Sequence, residues 1–154
     1  MIGFPNCKIN LALRVLDRRP DGFHNIESVF YPAKWCDAVE VIASEKFSFE
    51  TFGNSASGNI EDNLCVKAFE LLQKKFNLPF VKLCLLKNIP IGAGLGGGSS
   101  DAAFTLKLIN EFFLLKISDD DLKTFAAEIG SDCSFFIEGN PCFVSERGDR
   151  SQQI

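Results

Sequence analysis

The sequence is 154 residues long, which is enough for one compact domain with its own core and too short for two domains of ordinary size. Hydrophobic residues make up 46% and charged residues 23%, a globular balance that excludes a chain disordered throughout. The formal net charge of -4 provides no positive field to collect nucleic acid or anionic lipid. We therefore expect no nucleic-acid or membrane partner, and any anion site must be local.

The cysteines and the N-terminus indicate a protein of the reducing cytoplasm. The six cysteines form no CxxC pair, and the single histidine cannot complete a Cys/His zinc set. The cysteines are interpreted as buried, small apolar residues. No basic segment followed by a long apolar run opens the chain, and no stretch approaches the roughly eighteen apolar residues of a membrane span.

The first half of the chain is predicted to be rich in strands. Residues 7–15 alternate, which places Lys8 and Asn10 on one face and an apolar set on the other. That set is Cys7, Ile9, Leu11, Leu13 and Val15. A turn over 17–22 and an extended segment over 23–31 follow, then strands over 37–43 and 46–52 and a loop over 53–58.

The second half alternates helices with strands. Asp62 or Asn63 caps a helix that ends before Pro79, and a strand over 80–87 follows. After a glycine cluster comes a helix with an apolar stripe, and Ser118 opens another helix that stops at Gly130. Residues 135–137 and 142–144 are predicted to be short strands. The pattern predicts an α+β domain over 1–144, with 145–154 as a polar tail or linker.

The most informative segment is 90–101, PIGAGLGGGSSD, which lies between a predicted strand and a predicted helix. Five glycines in positions 92 to 98 allow backbone N–H groups to turn toward an anion, and the helix N-terminus adds partial positive charge. We interpret it as a cradle for nucleotide phosphates. The alternative is a flexible loop with a serine cap. A Walker A loop is excluded because the lysine is missing, and a dinucleotide fold because no second strand ending in an acid follows.

Three segments together resemble the GHMP small-molecule kinases, and the resemblance covers nearly the whole chain. They are 5–13 (PNCKINLAL) with 21–24 (DGFH), the loop PIGAGLGGGSSDAA, and 130–136 (GSDCSFF). The KIN segment with DGFH and ESVF resembles the branch that phosphorylates the 2-hydroxyl of a cytidyl-diphosphate methylerythritol in the non-mevalonate isoprenoid pathway. Two departures are Ser134, where many members have proline, and the end at Ile154, since members continue with a second domain of comparable size.

The resemblance implies a ribosomal-S5-domain-2-like fold, a mixed sheet packed against helices, with ATP and Mg²⁺ as ligands. Lys8 and Asp132 would be the catalytic pair, and the substrate would be held by Asn10, Phe23 and His24. Asn63 would lie near the adenine, and Ser100 would reach the Mg²⁺ carried by ATP. The residues implied to wrap the ATP phosphates are Pro90, Ile91, Gly92, Ala93, Gly94, Leu95, Gly96, Gly97, Gly98, Ser99 and Ser100.

Two other hypotheses stay open. The chain would be another GHMP kinase that acts on a different alcohol, or a nucleotide-binding module without turnover. Taken singly, a strand lysine, a loop aspartate and a lone histidine each have an ordinary structural interpretation. If the second domain is missing, residues 1–154 are expected to be inactive alone and to self-associate through the face that would pack on it.

Overall fold

A computed structural model describes residues 1–20, 22, 24–54, 59–146, 148 and 150–154. The strands are β1 (Ile2–Gly3), β2 (Asn6–Arg18), β3 (His24–Cys36), β4 (Ala38–Ala43), β5 (Ser48–Gly53), β6 (Val81–Lys87), β7 (Cys142–Ser145) and β8 (Arg150–Gln153). The helices are α1 (Leu64–Phe76), α2 (Gly97–Phe112), α3 (Asp119–Ile129) and α4 (Phe135–Glu138), with a short 3-10 helix at Ile60–Asp62. Within these parts of the chain, none of the helices is both long and apolar enough to cross a membrane.

The strands form two four-stranded sheets, which confirms the predicted α+β class. The first sheet has the order β1-β4-β6-β5 and is mixed, because β5 pairs in parallel with β6 while the other pairs are antiparallel. Helix α1 lies in the crossover that joins those parallel strands. The second sheet, β2-β3-β7-β8, is antiparallel throughout.

One hydrophobic core joins the helices to both sheets. Its members from the first sheet are Val39, Val41, Leu83 and Leu85, and those from the helices include Phe69, Leu72, Leu106, Ile109 and Leu122. Phe30 and Val144 enter the same cluster from the second sheet. Helix α2 packs in this core, and the glycine-rich segment leads into α2. The segment is therefore fixed to the core on the side away from solvent.

Two predictions for the C-terminal part of the chain are wrong. Residues 135–137 are a helical turn, not a strand, and Gly139 ends that turn at φ +68 with its N–H donating to Phe135 O at 2.9 Å. A short apolar run has no periodicity that separates a buried strand from a buried helix. Arg150–Gln153 pair with β7 as β8, so this part of the predicted polar tail belongs to the sheet.

Strand β2 is confirmed, and most of its apolar face is exposed to solvent while Lys8 on the other face is buried. Lys8 is only 3% exposed, whereas Ile9, Leu11, Leu13 and Val15 are between 39% and 61% exposed. An alternating pattern shows that the two faces of a strand differ in polarity, but it does not show which face packs against the rest of the chain. The register of β2 against β3 also shifts after Leu11, where Ala12 adopts φ +55.

Candidate active site

The glycine-rich segment forms one wall of a cleft of about 520 Å³. Gly92, Gly94 and Gly96 adopt φ of +73, +73 and +68, values at which a residue with a Cβ is strained. Gly96 is the N-cap residue of α2 and makes no side-chain cap, so the amides of the first turn are not capped by a side chain. Residues 90–99 all line the cleft, which suits the binding of an anion at the helix N-terminus.

The two serines after the glycines have different surroundings. Ser99 lines the cleft, and its hydroxyl contacts the thiol of Cys133. Ser100 is buried behind the wall; its N–H donates to Gly96 O at 2.9 Å, and its Oγ has no hydrogen-bond partner among the described residues. Neither serine caps α2, because the helix already begins at Gly97.

Asn63 also lines this cleft. It is the N-cap residue of α1, and its Oδ1 accepts a hydrogen bond from Cys65 N at 2.9 Å. The neighbouring wall is apolar, with Phe49, Ile60 and Leu64 lining it. An apolar wall beside an amide group is a surface on which a flat heterocycle can be held.

The side chains of Lys8, Asn10 and Asp132 come together, although residues 8 and 132 are far apart in the sequence. Lys8 Nζ donates to Asn10 Oδ1 at 2.7 Å and lies 3.4 Å from Asp132 Oδ2. The same ammonium lies 4.1 Å above the centre of the Phe30 ring. These contacts fix the direction of a lysine that has almost no contact with solvent.

The backbone joins this cluster to the glycine-rich segment. Lys8 N donates to Leu95 O at 2.9 Å, and a Cβ added to Gly96 would lie 3.1 Å from Lys8 Cγ. Asp132 is in the turn between α3 and α4, with its side chain 26% exposed. A partly exposed carboxylate next to a buried ammonium is therefore held at the edge of the segment proposed to hold phosphates.

The other predicted substrate residues are not in this cluster. His24 is exposed and lies opposite Arg18, whereas Lys8 lies opposite Pro32. At a rise of about 3.3 Å per residue, these positions are separated by roughly 25 Å along the hairpin. Phe23 lies outside the described residues.

A second group of charges below the cleft was not predicted from the sequence. Lys87, the last residue of β6, makes ion pairs with Asp37 and with Asp101, the latter at 2.8 Å between Nζ and Oδ2. Lys87 and Asp101 also line the cleft. The available signal was a lysine at a buried position of an alternating strand, which needs a buried partner.

Comparison with known proteins agrees with this geometry. The model of the GHMP kinases N terminal domain matches residues 63–140. The 4-diphosphocytidyl-2-C-methyl-D-erythritol kinases of Bacteroides thetaiotaomicron and Cytophaga hutchinsonii are 54% and 52% identical to this chain, covering 97% of it and 56% and 55% of their own lengths. The chain thus spans about half the length of these curated relatives.

The solved structures give the same picture. A crystal structure of 4-(cytidine 5'-diphospho)-2C-methyl-D-erythritol kinase superposes with a TM-score of 0.84 at 30% identity, over 100% of this chain and 55% of that one. The Methanococcus jannaschii mevalonate kinase shares the fold, with a TM-score of 0.74 at 17% identity over 100% of this chain and 55% of that one. The chain belongs to the GHMP kinases, and it has the fold of their N-terminal domain.

Proposed function

We propose that the protein containing this chain transfers the γ-phosphoryl group of ATP to the 2-hydroxyl of 4-diphosphocytidyl-2-C-methyl-D-erythritol. The observation that carries the proposal is the position of Lys8: its ammonium lies 3.4 Å from Asp132, and its backbone is bonded to the glycine-rich segment. The names of the relatives that are 54% and 52% identical support the choice of substrate. Because those relatives are longer, the activity is proposed for the whole protein.

The glycine-rich segment would bind the phosphates through backbone amides. No lysine follows the glycines as in a P-loop, so the amides and the N-terminus of α2 would carry the charge stabilisation. Mg²⁺ would be bound mainly by phosphate oxygens and water, and it would neutralise charge on the transferred group. The buried Ser100 hydroxyl, which lacks a partner among the described residues, is the feature of this chain that supports a role toward that ion.

Lys8 and Asp132 would act on the attacking hydroxyl. The hydroxyl oxygen forms a bond to the γ-phosphorus, the bond from that phosphorus to the bridging oxygen breaks, and ADP leaves. The hydroxyl proton passes to Asp132, whose carboxylate is the exposed member of the pair. Lys8 would stabilise the negative charge that develops on the oxygens, and its bond to Asn10 at 2.7 Å holds it in place.

The hairpin of β2 and β3 would hold the rest of the substrate. In this proposal Asn10 binds near the reacting end, while His24, at the far end of the hairpin, binds the cytosine ring together with Phe23. A substrate in which a diphosphate joins an alcohol to a nucleoside is long, so the protein would contact it at both ends of the hairpin. We place the reaction in the cytoplasm, which the six free cysteines support.

Product analysis on the full-length protein tests the proposal. Asp132→Asn and Lys8→Ala are each expected to lower kcat by about 10²-fold or more, with little change in ATP affinity, because the lost contacts act in the transition state. Asp120→Asn, which removes an exposed carboxylate on α3, is the matched control and keeps wild-type rates.

The choice of acceptor decides between the hypotheses. The protein is offered the cytidyl alcohol and mevalonate in parallel with ATP, and products are weighed by mass spectrometry. Phosphorylation of mevalonate alone would replace the proposed substrate with another alcohol. ATP binding without turnover of either compound would favour a binding module, and wild-type turnover in Asp132→Asn would refute the assigned roles.

A further inference from the structure

The charged group below the cleft joins three separate elements. Asp37 precedes β4, Lys87 ends β6, and Asp101 lies in α2 directly after its first turn. All three are buried, with exposures of 1%, 5% and 2%. Two carboxylates therefore share one ammonium in a place from which water is largely excluded.

The two carboxylates are not equivalent. Asp37 Oδ1 accepts hydrogen bonds from Asn88 N at 2.6 Å and Ile89 N at 2.8 Å, while its Oδ2 accepts from Lys87. Asp101 accepts from Lys87 through Oδ2 alone, and its Oδ1 has no partner among the described residues. Lys87 and Asp37 already form a neutral, well-bonded pair without Asp101.

Asp101 is therefore unfavourable for the stability of the fold. Burying a second carboxylate with an unpaired oxygen costs free energy, and the charge of Lys87 is already balanced by Asp37. A buried polar atom without a partner calls for an explanation other than stability. The place of Asp101 in the chain suggests one.

Lys87 and Asp101 bracket the glycine-rich segment. Lys87 comes shortly before the segment and Asp101 is its last residue, so their contact joins positions 14 apart and closes the base of the loop between them. The start of α2 rests against this contact, because a Cβ added to Gly97 would lie 3.1 Å from Lys87 Nζ. A change in the distance between Lys87 and Asp101 would thus shift the amides that face the cleft.

We propose that Lys87 and Asp101 are positioning residues for the nucleotide phosphates: their buried hydrogen bond closes the base of the glycine-rich segment and sets the spacing of its amides. The proposal rests on the proposed binding of ATP in this cleft. Neither side chain needs to touch the nucleotide, because the effect is transmitted through the backbone of the loop and the first turn of α2.

Calorimetric titration of the full-length protein with ATP and with adenosine tests this role. Asp101→Ala is expected to raise the Kd for ATP by about tenfold or more, since phosphate binding depends on amide positions, and to leave the Kd for adenosine nearly unchanged. Asp101→Asn keeps an oxygen that accepts from Lys87, so its Kd for ATP should stay within about threefold of wild type. Asp120→Asn on α3 is the control for loss of a carboxylate.

Asp101→Leu guards against a variant that fails to fold, because leucine fills the volume that alanine leaves empty, and it should show the same selective loss of ATP. Equal losses for ATP and adenosine, or ATP binding unchanged in both apolar variants, would overturn the positioning role. Unfolding of both apolar variants while Asp101→Asn folds would show a requirement of the fold instead. A wild-type protein that does not bind ATP would refute the proposed function, and this inference with it.

Discussion

At the scale of the residue, Asp101 is in surroundings that favour its neutral form. Burial raises the pKa of its carboxyl from 3.8 to about 7. The charge and hydrogen bond of Lys87 oppose that shift, whereas the charge and hydrogen bond of Asp37 add to it. Burial also acts to lower the pKa of Lys87, but the two carboxylates outweigh it and leave that pKa raised. Protonation of the second carboxylate would remove the excess negative charge.

This environment predicts a pH dependence of stability with a definite sign. Between about pH 4 and pH 7 the folded protein holds a proton on Asp101 that the unfolded chain has lost. The contribution of Asp101 to the free energy of unfolding therefore falls as pH rises through that window and is constant above it. In Asp101→Asn this contribution is absent.

Urea unfolding of wild type and Asp101→Asn at intervals from pH 4.5 to pH 8.5 measures the difference. The wild type is expected to lose stability relative to the variant as pH rises to about 7, with no further change above that pH. Parallel curves over the whole interval would mean that Asp101 titrates as an ordinary aspartate.

At the scale of the element, the glycines at the start of α2 differ in what surrounds them. A Cβ at Gly96 would lie 3.0 Å from Phe136 Cζ, and one at Gly97 would lie 3.0 Å from Ile89 Cγ2. A Cβ at Gly98 would have only Leu64 Cδ1 near it, at 3.9 Å, and Gly98 lines the cleft with ordinary helical backbone. A substitution at Gly98 therefore tests nucleotide binding without disturbing the packing of neighbouring side chains.

Gly98→Ala is predicted to stabilise the protein slightly while weakening ATP binding. Alanine in a helical position restricts the unfolded chain and adds up to about 1 kcal/mol, whereas its methyl group would stand where phosphate must approach the amides. Thermal unfolding and calorimetric titration of the same sample measure both effects. Unchanged ATP affinity would place the phosphates elsewhere in the cleft.

Most helices and strands were predicted correctly from local sequence patterns, and the wrong predictions have physical reasons. Helix α1 begins after the predicted cap Asn63, and the N–H of Asp121 donates to Ser118 Oγ as the capping pattern indicated. The apolar run over 135–137 has no periodicity that separates a strand from a helix. The alternation of β2 predicted two different faces, but which face is covered depends on distant parts of the chain. The pairing of Lys8 with Asp132 was implied by the family resemblance, because no local sequence pattern links two residues so far apart in the chain.

At the scale of the whole molecule, one face of the second sheet is uncovered. Its exposed apolar side chains are Ile9, Leu11, Tyr31 and Phe143. They lie on one face because Ile9 is opposite Tyr31, Leu11 is opposite Val29, and Val29 is opposite Phe143 in the strand register. A contiguous apolar face of this kind favours association with another surface.

The chain of residues 1–154 alone is therefore predicted to self-associate through this face. Sedimentation velocity at increasing concentration should show species larger than the monomer, and Leu11→Glu should shift the distribution toward monomer. Leu114→Glu places the same change at an exposed leucine outside the sheet and should have no effect. A wild-type chain that stays monomeric throughout would show that the face does not bind a second copy.

The two parts of the site differ in the chain entropy needed to assemble them. The contact between Lys87 and Asp101 joins positions 14 apart in the sequence, whereas the contact between Lys8 and Asp132 joins positions about 120 apart. Because closure entropy grows with the logarithm of loop length, the longer closure costs about 2 kcal/mol more for a flexible chain. The wall proposed to bind phosphates can thus be organised by short-range contacts, while the proposed catalytic pair forms only when distant parts of the sequence have come together.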